Sequence, residues 1–204
     1  MKKTIQKKAE RVRSFVKTGL VLPAAKKMIG VKTRLPKRPE LGAEIKPDFI
    51  DLEQHVCFGC SPRNTKGLKL KFYAAHGWDL GCRWNTGEGL ENYPGMIHGG
   101  IITTVLDELV GQAIFAKTRK MPVSLNAQIT WLKAVKTNTD TIAVSRITAQ
   151  HDGFYAAEAF LFRGDGRVAA FIKGLYMTPT LRVFRQIAEL DTLPDFANDW
   201  FVRD

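Results

Sequence analysis

The chain has 204 residues, of which 45% are hydrophobic, and this suits one domain of roughly 100–150 residues with appendages. Its net charge of +11 is concentrated: residues 1–40 carry 13 Lys and Arg against Glu10 and Glu40, and the basic and acidic residues beyond them cancel. A neutral domain with a basic arm does not present the charged face that reads nucleic acid, so no specific nucleic-acid partner is expected.

In the arm, Ile5, Ala9, Val12, Val16 and Leu20 recur at helical spacing, with Lys7, Lys8, Arg11, Arg13 and Lys17 on the other faces. A basic amphipathic helix of this kind can pack on its own domain or a partner, or rest on an anionic membrane surface. The dominance of Lys and the presence of Glu10 argue against a mitochondrial targeting peptide. The apolar run Gly19–Ala25 is too short to span a bilayer and is bounded by lysines. Residues 30–56, with Pro36, Pro39 and Pro47, read as a linker, so the arm and linker together are assigned to 1–56. Cys57, Cys60 and Cys82 make an odd count in a chain without an evident signal peptide, which favours a reducing cytoplasm, with peripheral membrane attachment through the arm as an option.

A domain is expected over 57–180. Lys69–Ala75 and Trp78–Trp84 form a first hairpin across His76-Gly77, and a helix follows over 99–117. Four strands come after it, Val123–Leu132, Thr141–Thr148, Phe154–Phe162 and Val168–Met177. They are separated by turn chemistry at Lys136–Asn138, His151–Gly153 and Arg163–Gly166. Because the helix is apolar nearly all round, a curved antiparallel sheet is expected to wrap it, an α+β arrangement. Residues 181–204 read as a short helix, Leu181–Leu190, and a tail ending in Trp200-Phe201.

The most informative stretch is Asn92-Tyr93-Pro94-Gly95-Met96-Ile97-His98-Gly99-Gly100, which runs directly into that helix. Glycines at a helix start leave backbone N–H groups open to a ligand oxygen, where the helix dipole favours negative charge. The only charges from Gly99 to Ala116 are Asp107 and Glu108, and a carboxylate in so apolar a helix needs a partner or a task.

This order of elements resembles the hotdog fold, and more closely the acyl-CoA thioesterases of the 4-hydroxybenzoyl-CoA and phenylacetate-pathway type. The resemblance covers Cys57 to Pro179. It is carried by Asn92, His98-Gly99-Gly100, Asp107 nine residues after His98, and the strand Val123–Trp131 with Ser124 near its start. It implies that the Gly99 and Gly100 amides bind a thioester carbonyl, that Asp107 acts as base or nucleophile, and that Asn92 and Ser124 position the water. His98 organises the site or satisfies a loop carbonyl, and Glu108, rotated by about 100° from Asp107, is the fallback base.

Thioester hydrolysis asks for little more, since a thiolate with a thiol pKa of about 8.5 leaves unaided. No metal or redox cofactor is required. Asp107 lies seven or eight residues beyond the glycine amides, about 11–12 Å along a helix axis, so one helix cannot grip one carbonyl with both. Two helices side by side and antiparallel about a two-fold axis can, and the resemblance implies the same sharing; a homodimer or dimer of dimers is expected. Lys133, Lys136 and Arg146 are candidates for the coenzyme A phosphates. Ile101, Val105 and Phe115 are candidates to line the acyl site.

His55-Val56-Cys57-Phe58-Gly59-Cys60 supplies three metal-ligand types, but no second pair follows at zinc-knuckle spacing. Cys57-Phe58-Gly59-Cys60-Ser61 with Asn64 and Gly67-Leu68 matches segments that precede the first strand in hotdog thioesterases, and the resemblance implies a packing role. The alternative to an acyl-CoA hydrolase is a hotdog domain that binds acyl-CoA, or organises a membrane-associated complex, without turnover. The paired Asp/His motif of an enoyl-CoA hydratase is not evident.

Overall fold

The computed structural model describes residues 34–189 and 199–202. The basic amphipathic helix expected near the N-terminus lies outside these residues. Among the described residues, nine strands and two helices occur in chain order: β1 Leu41–Ile45, β2 Lys71–Ala75, β3 Leu80–Asn85, β4 Glu91–Tyr93, β5 Met96–Ile97, α1 Gly99–Thr118, β6 Val123–Trp131, β7 Asp140–His151, β8 Phe154–Phe162, β9 Val168–Met177 and α2 Leu181–Ala188. Seven strands form one antiparallel sheet in the order β1-β2-β3-β7-β8-β9-β6, and β4 and β5 form a small hairpin before the helix.

Helix α1 is the core of this arrangement. His98 caps its start and Arg119, at φ 58°, ends it in the left-handed region, with its N–H bonded to Phe115 O. By length and composition α1 could cross a bilayer, yet half of it is buried inside the fold, as suits the central helix of a wrapped sheet. Ile102, Val105, Leu106, Leu109, Val110, Ala113, Ile114 and Phe115 fill the concave side of the sheet with Phe72, Cys82, Leu161 and Ile172. Ser145 on β7 reaches across and donates from Oγ to Leu109 O at 3.3 Å, so this buried hydroxyl is satisfied.

The strands form where alternation and turns place them, with instructive differences. β2 starts at Lys71 because Lys69 takes φ 51°, incompatible with a pleated strand. β7 runs past Thr148 to His151 through a bulge between Ile147 and Ala149, which breaks the alternation that marks a strand.

The linker reading of 30–56 is corrected. β1 pairs with β2, and the turn after Pro47 sends Phe49 into the core at 1% exposure, edge-on to Phe115, Trp200 and His55. The compact unit begins at Arg34, so the boundary expected at 57 falls too late. The proline-flanked β1 sits on a sheet edge, where a strand tolerates such neighbours.

Candidate active site

Helix α1 begins where β5 ends, and His98, in extended conformation, supplies the cap. Its Nδ1 accepts from Gly100 N–H at 2.9 Å. Ile101 and Ile102 donate to His98 O, which leaves the Gly99 N–H as the first-turn amide without an acceptor among the described residues. The two amides expected to act together are therefore unequal: Gly100 is engaged by the imidazole and Gly99 is open. Trp131, at the end of β6, closes over this end of the helix, its indole N–H donating to Gly99 O at 3.3 Å. A Cβ on Gly99 would come within 3.1 Å of the indole nitrogen, so only glycine fits beneath the ring without a shift.

Eight residues along the helix, Asp107 is half-buried. Its Oδ1 accepts from Ser124 Oγ at 2.9 Å and from Tyr176 Oη at 3.2 Å. Register explains the convergence: Ser124 and Tyr176 are direct partners in the β6–β9 ladder and so point to the same face of the sheet, toward α1. A bulge follows Ser124 in the same ladder. Gly174 lies two residues before Tyr176, and a Cβ there would meet the tyrosine ring at 2.7 Å; its absence lets the ring lie flat and the hydroxyl reach the carboxylate. Burial, then the charge of Asp107 and the bond to it, push the Tyr176 pKa up, so this hydroxyl stays protonated and donates. Nothing in the local sequence around Tyr176 marks it; its partner Ser124 stands 52 residues earlier.

Asn92 sits on β4, which folds back through the Tyr93–Gly95 turn onto the strand leading into His98. Its Oδ1 accepts from Tyr93 N–H at 2.8 Å, and it is exposed. Lys133 and Lys136 are exposed on the segment after β6, which runs beside β5 through the Met96–Lys136 bridge and the Ile97 N–H bond to Val135 O. Arg146 does not join them. It pairs with the buried Glu158 at 2.6 Å and stacks over Trp78 at 4.9 Å, so its guanidinium is committed to the opposite part of the sheet. Val105 and Phe115 are packed shut in the core at 0% and 2% exposure, which removes them from the walls of an acyl site and leaves Ile101.

Glu108 is turned away from Asp107. Its Oε2 accepts from Cys57 Sγ at 3.5 Å and its Oε1 from Gln112 Nε2 at 3.0 Å, which makes it a partner of the cysteine loop and not a second base beside Asp107. In that loop the bond between the two thiols lowers the pKa of Cys57 and, with burial, raises that of Cys60, while burial lowers that of His55.

Residues 94–170, from the turn before the helix to the start of β9, match the family model of the thioesterase superfamily. Among solved structures, zebrafish thioesterase superfamily member 2 is similar at a TM-score of 0.50 and 21% identity, over 56% of this chain and 88% of that one. The Escherichia coli PaaI protein of the phenylacetic acid degradation operon is similar at a TM-score of 0.50 and 13% identity, over 54% and 79%. No curated protein matches. The domain has the hotdog fold, and the resemblance to hotdog thioesterases carried by its sequence is borne out.

Proposed function

We propose that this domain hydrolyses an acyl-CoA thioester to the free acid and coenzyme A at a site shared between two copies of the chain. The observation that carries the reading is the pairing, on one apolar helix within the matched segment, of an open amide at Gly99 with a carboxylate whose orientation two hydroxyls fix. The Gly99 N–H polarises the thioester carbonyl and takes up the charge that grows on its oxygen. Asp107, held through Oδ1 by Ser124 and Tyr176, turns Oδ2 toward the reaction and either takes a proton from water or attacks the acyl carbon. Asn92, on the hairpin that feeds the helix, is assigned to place the water, and His98 sets the geometry of the helix start.

Eight residues of helix put Asp107 about 12 Å from Gly99, too far for both to serve one carbonyl. Thr103, Thr104, Asp107 and Gly111 form a partly exposed stripe along one side of α1, and β6 is an edge strand with Leu125 and Trp131 exposed at 36% and 55%. An antiparallel α1 from a second copy laid on this side brings its Gly99 to this Asp107 and builds two equivalent sites. Lys133 and Lys136, beside the strand that feeds the helix, meet the coenzyme A phosphates.

The test is release of thiol from a panel of acyl-CoAs by the wild type and by Asp107→Asn. Loss of the acid–base group typically costs 10²–10⁴-fold, so a loss in that range supports the assignment. Equal rates in the two proteins refute it, and binding without turnover across the panel points instead to an acyl-CoA-binding scaffold.

A further inference from the structure

Next to the candidate active site, and unused by it, the loop before β2 brings two thiols and an imidazole to the carboxylate of Glu108. The Sγ atoms of Cys57 and Cys60 and a carboxylate oxygen of Glu108 all lie within 4.8 Å of one another. Cys57 Sγ is 3.5 Å from Glu108 Oε2, and His55 Nε2 is 3.3 Å from Cys60 Sγ. Zinc bonds of about 2.3 Å to sulfur and 2.0–2.2 Å to nitrogen and oxygen give a tetrahedron with edges of roughly 3.4–3.8 Å. Two edges of that figure are thus already near their final length; the two sulfurs and the carboxylate lie within 4.8 Å of one another, and the His55 ring, already beside Cys60, swings in to complete the set.

The surroundings are those of a ligand set. Gly59 N–H donates to Cys57 Sγ at 3.3 Å across a tight turn that carries both sulfurs. That turn is pinned by Ser61 N–H to Cys57 O and by Leu68 and Leu70 N–H to Phe58 O and Gly59 O. Gly59 presses so close to the helix that a Cβ would sit 2.7 Å from Glu108 Cδ, so the loop is built to bring its sulfurs against this carboxylate. Gln112, one turn on, is 9% exposed; its Nε2 holds Glu108 Oε1 at 3.0 Å, leaving Oε2 for an ion, and approaches Cys60 Sγ at 3.8 Å. Gln112 Oε1 is buried without a partner, an amide spent on orienting the cluster. Outer-shell donors of this kind fix the direction and basicity of metal ligands. Phe49 meets the His55 ring edge-on at 5.0 Å and holds it beside Cys60. Cys57 and His55 are half-exposed, which gives an ion a way in.

We propose that Cys57, Cys60, Glu108 and His55 bind a zinc ion that fastens the 47–60 loop to α1, one residue from Asp107. Two thiolates, one imidazole and one carboxylate in a tetrahedral set suit zinc better than magnesium or calcium, which take oxygen donors. On binding, the two thiol protons pass to solvent. Three of these residues were legible as ligand types in one stretch of sequence; the fourth comes from a helix some fifty residues later, where no knuckle spacing could announce it.

Elemental analysis of the full-length chain, expressed with zinc and purified without affinity tag or chelator, is expected to find about one zinc per chain, the metal being held through folding. Cobalt added to the reduced, metal-stripped protein is expected to give the intense visible bands of a tetrahedral ion with thiolate charge transfer in the near ultraviolet. Cys57→Ser and Cys60→Ser are expected to lose the charge-transfer band stepwise. Gln112→Leu touches no metal and keeps the test alive should the cysteine variants fail to fold; it is expected to weaken zinc by roughly 10–100-fold in competition with a chromophoric chelator. Wild-type protein that carries no zinc and gives no cobalt bands when reduced overturns the proposal. So does unchanged affinity in folded Gln112→Leu together with Glu108→Gln, or a Cys57–Cys60 disulfide whose reduced form still binds no metal.

Discussion

The carboxylate of Asp107 receives both of its described hydrogen bonds on Oδ1, from Ser124 and from Tyr176, and burial keeps the Tyr176 phenol protonated as a donor. A hydrogen bond to a charged group contributes about 1.5–3 kcal/mol, so Tyr176→Phe is expected to lower kcat by roughly 10–100-fold. KM should change little, since the lost bond acts on the carboxylate and not on the substrate. Steady-state kinetics decide it; an unchanged kcat would show that Tyr176 only fills space. The residues around this site differ in how far the sequence disclosed them. Asn92, His98, Gly99 and Asp107 are legible because their relation is a spacing along one local segment. Tyr176 is not, because what joins it to Asp107 is the register of two strands far apart in the chain. The open state of Gly99 against the engaged state of Gly100 is set by a histidine rotamer, which spacing does not encode.

At the scale of elements, α1 and the four strands after it were legible because period and turn chemistry agree over long stretches. β1 was not: Leu41–Ile45 is five residues among prolines, with one half-buried and four exposed positions, and it becomes a strand through pairing with β2. What ties this segment to the domain is Phe49, buried between Phe115, Trp200 and His55. Removing so large a buried ring costs about 3–5 kcal/mol, and Phe49→Ala is expected to lose that much stability in urea unfolding. A loss below about 1 kcal/mol would mean that the segment is an appendage after all. The β4–β5 hairpin is too short for any periodicity to show, yet its fold-back sets the approach of Asn92 to the helix start.

For the molecule as a whole, burial raises the pKa of both Cys82 and Tyr176, so the native state keeps protons that the unfolded chain gives up. The stability tied to those protons is complete below the unfolded values, about 8.5 for Cys and 10 for Tyr, and is lost as pH rises beyond them. Thermal melting is expected to hold level through neutral pH and fall steadily above about pH 9; a level profile to pH 11 would contradict the burial of these groups. The neutral balance of the domain, with all of the net charge in residues 1–40, would leave the proposed contact between two copies free of strong self-repulsion. The central claim is that a complete site takes Gly99 from one copy and Asp107 from another. Co-expression of two inactive variants, Asp107→Asn and Gly99→Val, tests it most directly. Random pairing makes half of the dimers mixed, each with one intact site, so the mixture is expected to recover about a quarter of wild-type activity. Recovery no greater than that of the separate variants, with mixed dimers demonstrated by differential tags, would contradict a shared site.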